Sequence, residues 1–344
     1  VYRMGVAQTQ LGRYREAIKT FERVQFRYRS TRFLPFANFW AGVSLYESGQ
    51  YSRASTSLAA FASDIGDSDL LPKALVYLGL SDVAIGDLQG AEEALERLQN
   101  IGVDSESKEF GAVLLSYVYT AQGQFSQLLQ FMGDRTPDLV NSRWKSQYLS
   151  YRAEAYWQLG RVLEAEKDYS AILKIEEVDD SIMSVALRRL FMTAARRSDF
   201  DSMDRTTLRA ELQFQDSPQQ LATFWLRLGI ENYNRGSNDL ARLFLKRAAD
   251  FGTADRVGNA AALYLAETYL SESNPLGVQD ALQVLTAQKK QSLENSWLLT
   301  LRLGDVLLSQ QDYLGAIVQY QDFIQDAVDN PEVGEFELSQ GRYF

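Results

Sequence analysis

The sequence contains neither cysteine nor histidine, and only 6 of its 344 residues are proline. Without cysteine the chain forms no disulfide, and without either residue it offers no thiolate or imidazole ligand to zinc or haem. Catalysis by a thiol nucleophile or by an imidazole acid or base is excluded for the same reason. A calcium site is not expected either, because the acidic run Asp64, Asp67 and Asp69 lacks the bidentate Glu that would close a calcium loop. We predict no metal site and no cofactor.

Positive charge is also scarce, with 35 basic residues against 45 acidic ones and a net charge of -10. Nucleic acid is not an expected partner, because a surface that binds it must neutralise a row of phosphates. Long apolar runs are missing as well. The nearest candidate for a membrane span, residues 110–121, is too short and is interrupted by glycine and hydroxyl residues. The sequence predicts no transmembrane segment.

Both ends of the sequence have the pattern of an excised fragment. Residue 1 is Val, and the residues that follow it read as the middle of an amphipathic helix, while residues 335–344 read as the beginning of another. We expect that a signal sequence, a lipid anchor or further domains can lie outside this stretch.

A pattern of 37 or 38 residues repeats along the chain and gives nine units, of which the eighth, around residues 274–281, is degenerate. Each unit is recognised by a turn position that holds glycine or a polar residue. An apolar or aromatic residue usually stands two residues after it, and Ala, Leu or Met stands five residues after it. These turn positions are Gly12, Gly49, Gly86, Gly123, Gly160, Ser198, Gly236 and Gln311. Seven residues earlier stands a second, usually small, position: Gly5, Gly42, Gly79, Ser116, Ala153, Phe191, Gly229, Ala266 and Gly304.

Each unit has the apolar spacing of two amphipathic helices. In the second unit, Phe39 and Tyr46 precede the turn at Gly49, and Ala54 and Leu58 follow it. Glycine suits the end of the first helix, where the chain commonly enters the left-handed region. A small residue in the first helix lets the two helices approach closely. No useful stretch alternates with period two, so no strand is predicted.

This pattern resembles the tetratricopeptide repeat family, on Gly42, Tyr51, Ala54 and Leu58 of the second unit and on their counterparts in most other units. It departs from the family in its longer units and in lacking the proline that usually closes each one. The resemblance implies an all-α fold, a right-handed α-solenoid of about nine helix pairs over residues 1–330. Residues 331–344 are predicted to start a further helix.

The longer, looser units are similar to those of bacterial cell-envelope members of the family, such as outer-membrane assembly lipoproteins and Tol-Pal accessory proteins. This resemblance implies a non-enzymatic scaffold for protein–protein interaction in a periplasmic or membrane-associated envelope complex. Two alternatives stay open. One is the helical, substrate-guiding part of a larger envelope enzyme of the lytic-transglycosylase type, and the other is a cytoplasmic regulator.

By family resemblance the first helices line a concave face that binds an extended peptide or a helix. Members that clamp a carboxylate use Lys and Asn there, whereas Val, Leu and Tyr stand at these places here, so a receptor for chaperone tails is not expected. The aromatic residues on this face would anchor a protein or peptide partner as hot spots. The candidates are Phe39, Tyr46, Tyr117, Trp157 and Tyr233. The alternative interpretation is that these rings belong to the core.

A basic cluster in the first helix of the sixth unit is the second candidate site. It consists of Arg188, Arg189, Arg196 and Arg197, of which Arg188, Arg189 and Arg196 are the candidate site residues. The spacing of seven and eight residues puts its members on neighbouring helix faces. The cluster interrupts the repeat pattern, with Phe191 at the small position, and it is predicted to contact an anionic group.

Catalytic signatures are absent from the sequence. It has no phosphate-binding G-x-x-x-x-G-K-[ST] loop, no G-x-G-x-x-G and no G-x-S-x-G. Two S-x-x-K matches, at Ser105 and Ser142, lack a partner K-T-G motif. A hydrolase that uses two carboxylates stays formally open, but no pair of acidic residues on the concave face stands out to support it. We predict no catalytic residue and no enzymatic activity.

Overall fold

The computed structural model describes residues 1–28, 30–65, 68–101, 105–133, 142–251, 256–271, 275–292 and 297–329. These residues form eighteen α-helices and one short 3₁₀ turn, Ser142–Trp144, and the described ranges contain no strand. The helices are α1 (Tyr2–Gln10), α2 (Tyr14–Arg27), α3 (Leu34–Glu47), α4 (Tyr51–Asp64), α5 (Leu71–Ile85), α6 (Leu88–Asn100), α7 (Ser105–Ala121), α8 (Phe125–Met132), α9 (Lys145–Gln158), α10 (Val162–Ile172), α11 (Asp180–Arg196), α12 (Phe200–Gln213), α13 (Pro218–Tyr233), α14 (Asn238–Phe251), α15 (Arg256–Leu270), α16 (Pro275–Gln291), α17 (Trp297–Ser309) and α18 (Tyr313–Asp329).

The odd-numbered helices are the first helices of nine repeats, and the even-numbered helices are the second helices. From α1 to α10, and again from α12 to α18, each helix packs on the next one along the chain. This is the stacked arrangement of a solenoid, in which each pair buries its apolar faces against its neighbours. The prediction of an all-α solenoid of helix pairs is confirmed.

The chain reverses between the two helices of a pair at a residue with positive φ. At Gly49 φ is 78°, in the left-handed region that a residue with a Cβ enters only at a cost. Every turn position predicted from the sequence spacing has this conformation: Gly12, Gly49, Gly86, Gly123, Gly160, Ser198, Gly236 and Gln311. The turn of the eighth repeat, at residues 272–274, lies outside the described residues, and α16 begins directly after it at Pro275.

The small position allows the two helices of a pair to touch. A Cβ atom placed on Gly42 would lie 2.5 Å from Cγ of Leu58, well inside contact distance. In the other repeats that have glycine at the small position, the equivalent residue of the second helix makes the same close contact. The pairs are Gly5 with Phe21, Gly79 with Leu95, Gly229 with Leu245 and Gly304 with Tyr320, at 2.5 to 2.9 Å for the nearest atom.

The helices divide into two compact units, Val1–Thr193 and Ala194–Phe344. In the first unit, the core contains fully buried rings and aliphatic chains such as Phe39, Phe61 and Leu58. In the second unit, Trp225 is fully buried and stacks on Phe244, with ring centroids 5.5 Å apart. The prediction of one superhelical domain over residues 1–330 stays a prediction, and the predicted helix start at residues 331–344 lies outside the described residues.

Candidate interaction face on the first helices

In both units, successive first helices contact each other directly, as α3 does with α5 and α13 with α15. Within the described ranges, successive second helices make no comparable contact. Within each unit the first helices therefore lie closer together than the second helices, and side chains on the shared side of successive first helices are neighbours.

We define the first-helix face as the residues two before, one after and four after the small position in repeats two to five. This spacing places them on one side of each helix. They are Trp40, Val43 and Tyr46 on α3, Tyr77, Leu80 and Val83 on α5, Leu114, Tyr117 and Thr120 on α7, and Tyr151, Glu154 and Trp157 on α9. All except Val43 are at least partly exposed, and Tyr117 is the most open of the rings, with 40% of its surface accessible.

Aromatic rings join consecutive helices of this face. Tyr46 meets Tyr77 edge to face at 5.2 Å between centroids, and Tyr117 meets Tyr151 at 6.3 Å. The hydroxyl of Tyr77 donates to Oε1 of Glu47 at 3.1 Å. Burial, and then the hydrogen bond to Glu47, raise the pKa of Tyr77 to about 12. Burial also raises the pKa of Tyr151. These hydroxyls remain protonated, and the rings form a neutral apolar row.

The first-helix face carries a charged side chain, Glu154, at its fifth-repeat end. Glu154 accepts two hydrogen bonds from Arg189, at 2.9 and 3.2 Å, and one from the hydroxyl of Tyr169 at 2.8 Å. The Arg189 guanidinium lies 4.9 Å from the centre of the Trp157 ring, in a cation–π contact. Burial alone would raise the pKa of Glu154, but Arg189 and the hydrogen-bond donors together outweigh it, so the pKa is lowered. The carboxylate is ionised and neutralised by its partner.

Three of the predicted aromatic anchors lie on this face: Tyr46, Tyr117 and Trp157. The fourth, Tyr233, occupies the equivalent place in the second unit and meets Tyr264 at 5.9 Å. The assignment of Phe39 is corrected, because its side chain is fully buried and packs on Phe61 at 5.4 Å. For Phe39, the alternative interpretation as a core residue holds.

The prediction that the arginine cluster binds an anionic group of a partner is corrected for Arg188 and Arg189, and for Arg196 it stays a prediction. Arg188 is only 8% exposed, and the Arg189 guanidinium is engaged by Glu154 and Trp157. Arg196, at the end of α11, is exposed. Two of the three arginines therefore serve the packing of the repeats and present no open basic surface.

The sequence interpretation missed Trp40, Tyr77 and Tyr151, which stand two residues before the small position. It assigned the residue three before that position to the face instead, as in Phe39. The available signal was the recurrence of large aromatic residues at the same offset in repeats two, three and five.

Among the described residues, no cluster of three or more acidic residues has the arrangement of a metal site. None of the described helices combines the length and the apolar character needed to span a bilayer.

In comparison with known proteins, residues 2–69 match the model of the tetratricopeptide repeat family. This stretch includes the first two helix pairs. No curated protein is significantly similar to the chain in sequence. Many solved structures resemble its fold, and three of them serve as examples. The apo form of RapI is 11% identical, with 99% of this chain and 98% of that chain covered and a TM-score of 0.55. A tetratricopeptide repeat protein from Parabacteroides merdae is 14% identical, with 79% and 98% covered and a TM-score of 0.51.

The third is a signal transduction ATPase from Pyrococcus horikoshii that carries a tetratricopeptide repeat sensor. It is 12% identical, with 92% of this chain and 53% of that chain covered and a TM-score of 0.51. At such identities the likeness concerns the fold alone. The first two repeats thus carry the sequence signature of the tetratricopeptide repeat, and the described chain has the helical solenoid fold of proteins built from it.

Proposed function

We propose that this chain is a non-enzymatic scaffold that binds a polypeptide through the first-helix face of repeats two to five. The observation that carries the proposal is the row of partly exposed aromatic rings, with Tyr117 at its most open point. Solenoids of this type present extended surfaces of stacked helices to their partners. Their fold is typical of scaffolds for protein–protein interaction rather than of enzymes.

The chemistry of the face indicates the chemistry of the partner. Glu154 is neutralised by Arg189, Glu47 accepts a hydrogen bond from the hydroxyl of Tyr77, and the ammonium of Lys73 lies 6.0 Å from the centre of the Tyr77 ring. An aromatic row with so little free charge favours an apolar segment over a phosphorylated or strongly charged one. Tyr and Trp are also the residues that most often dominate binding energy at interfaces.

The setting that we propose is a protein complex of the bacterial cell envelope. The support for it is the sequence resemblance of the long, loose repeats to envelope members of the family. The full-length gene tests this part separately: a signal peptide or a lipidation motif upstream of Val1 agrees with it, and an uninterrupted cytoplasmic protein contradicts it.

The binding proposal can be tested without knowing the natural partner. A phage-displayed library of random peptides is selected against the protein, and the Kd of the best peptides is measured for the wild type and for Tyr117→Ala. Loss of a hot-spot aromatic costs about 2 kcal/mol or more, so we expect the Kd to rise by about 30-fold. The selected peptides should be rich in apolar residues.

Leu163→Ala is the matched control, because Leu163 is a large apolar residue on the second helix α10 with 64% of its surface exposed. It should leave the Kd unchanged. Circular dichroism must show that both variants keep the helicity of the wild type. Peptides that bind Tyr117→Ala as tightly as the wild type would contradict the proposal.

A further inference from the structure

The outer side of α2 carries a row of cations. Arg15, Lys19 and Arg23 stand four residues apart, are exposed and lie on one side of the helix. We call these three residues the basic stripe. In the sequence, residues 1–36 hold eight basic and two acidic residues, although the net charge of the whole chain is -10. Positive charge is therefore concentrated at the first repeat.

The repeat fold does not require the basic stripe. Like charges four residues apart destabilise a helix, and Arg15 stands in the first turn, where the helix dipole disfavours a cation. The two carboxylates of α2 face other arginines: Glu16 lies 3.9 Å from Arg13, and Glu22 accepts from Arg53 at 2.7 Å. Among the residues that the structure describes, no ion pair involves a member of the basic stripe. The stripe thus has no role in the packing of the repeats.

The charge pattern of α2 is not a feature of the repeat. In the sequence, the second helix that comes nearest is α12, where the equivalent places hold Asp201, Arg205 and Arg209, and another acid, Asp204, precedes Arg205. Each of the remaining second helices has at most one basic residue at these places. The basic stripe therefore belongs to the first repeat alone and needs an explanation of its own.

An exposed aromatic ring lies on the same side of α2. Phe26 follows Arg23 by three residues and Lys19 by seven, and 74% of its surface is accessible. Apolar rings together with cations are typical of helices that lie on an anionic membrane surface. An acidic peptide fits less well, because the groove of about 300 Å³ between α2 and α4 includes Glu22 in its lining. The composition of this side favours a lipid surface.

We propose that the outer side of α2 docks the protein on a membrane surface of anionic phospholipid. The basic stripe contacts the headgroup phosphates, and Phe26 enters the boundary between headgroups and acyl chains. The acidic remainder of the chain is repelled by the same surface, so the contact is confined to the first repeat. Because α2 contributes no residue to the first-helix face, membrane docking and peptide binding can succeed or fail independently.

Co-sedimentation of the full chain with lipid vesicles tests the docking. Vesicles of phosphatidylglycerol mixed with phosphatidylcholine are compared with vesicles of phosphatidylcholine alone. We expect binding to the anionic vesicles only, and a decrease as the salt concentration rises. Lys19→Gln with Arg23→Gln should weaken the binding by about 30-fold, because each cation near an anionic surface contributes about fivefold. This variant removes only exposed, mutually repelling charges, so it should fold, and circular dichroism checks that it does.

Arg205→Gln with Arg209→Gln is the matched control. It removes two exposed arginines at the same spacing from another second helix and changes the net charge by the same amount. It should leave the binding unchanged, whereas Phe26→Ser should weaken it severalfold. Equal weakening by the two double variants would overturn the proposal, since it would reflect net charge alone.

Absence of wild-type binding to the anionic vesicles would also overturn the proposal. An acidic polypeptide is the competing partner, and immobilised poly-glutamate serves as its probe. If poly-glutamate retains the wild type and the vesicles do not, the basic stripe serves a contact with protein and membrane docking is wrong.

Discussion

Arg189 donates to Glu154 from both its Nε and Nη2 atoms, at 3.2 and 2.9 Å, and so joins the first helices of the fifth and sixth repeats. The same relationship recurs in the second unit, where Arg302 donates to Glu267 at 2.6 and 3.0 Å. In both pairs the arginine follows the glutamate by 35 residues. The repeat therefore reuses one pair of positions, on consecutive first helices, for a bidentate ion pair.

We predict that Arg189→Ala lowers the free energy of unfolding by about 2–3 kcal/mol, because it leaves Glu154 in a site that is largely buried without its main partner. The side chains of Arg189 and Glu154 are only 17% and 19% exposed. Arg302→Ala should cost less, since its pair is 34% and 32% exposed. Urea denaturation followed by circular dichroism measures both.

Arg53→Ala is the control for this prediction. Its ion pair with Glu22 is 54% and 49% exposed, and such surface pairs contribute less than about 1 kcal/mol. Equal destabilisation by Arg53→Ala and Arg189→Ala would show that burial does not set the strength of these pairs.

The pH dependence of the same pair has a definite sign. The pKa of Glu154 is lowered in the folded protein, so the folded state binds its proton more weakly than the unfolded state does. The pair therefore stabilises the fold above the ordinary glutamate pKa, about 4.3, and this contribution is lost as the pH falls through the folded-state value. We expect Glu154→Gln to lower the melting temperature clearly at pH 7 and much less near pH 3. A difference from the wild type that stays constant over this range would contradict the assignment.

Asp82 is expected to act in the opposite direction. It is only 3% exposed, and its Oδ1 atom has no hydrogen-bond partner among the described residues. The pKa of Asp82 is raised, mainly by burial. A hydrogen bond with Ser55 lowers it in part, and the negative charge of Asp87 raises it again. We predict that Asp82→Asn stabilises the protein at pH 7 by about 1 kcal/mol, because the amide carries no charge to desolvate.

The sign follows from the raised pKa. The folded state holds this proton more tightly than the unfolded state, so the wild type gains stability as the pH falls and loses it as the pH rises through the folded-state pKa. The advantage of Asp82→Asn should therefore shrink toward pH 4. Asp199→Asn is the control. Asp199 caps α12 by accepting from the amide of Ser202 at 3.0 Å, and its pKa is lowered, first by hydrogen bonds from Ser202, so its substitution should not stabilise the protein at pH 7.

The repeat register made most of the fold predictable from the sequence. Spacing alone identified Ser198 and Gln311 as turn residues, and both have the positive φ of the glycines that they replace. The small position was equally informative, because a residue such as Gly42 faces Leu58 too closely to carry a side chain. Both features depend on local sterics that recur in every unit, so one sequence can reveal them.

The candidate site was less predictable, for a geometric reason. A helix turns once in 3.6 residues, so offsets of three and of four residues are almost equally compatible with one side of it. Spacing alone could not decide whether Phe39 or Trp40 belongs to the first-helix face, and the structure places Phe39 in the core. The partner of Arg189 was equally inaccessible to sequence reasoning, because Glu154 lies in the preceding repeat and only the stacking brings the two together.

Among the described turn positions, Ser198 and Gln311 are not glycine, and Gln311 offers a final prediction. Gln311 has φ 63°, a conformation that costs a residue with a Cβ about 1 kcal/mol or more. Gln311→Gly should therefore raise the free energy of unfolding by about 0.5 kcal/mol, after the larger entropy of glycine in the unfolded chain is allowed for. Gly49→Ala makes the reverse change at a turn with φ 78° and should be destabilising by a similar amount. Thermal denaturation compares both variants with the wild type. If Gln311→Gly is destabilising, the Gln311 side chain contributes more to the ninth repeat than its backbone conformation costs.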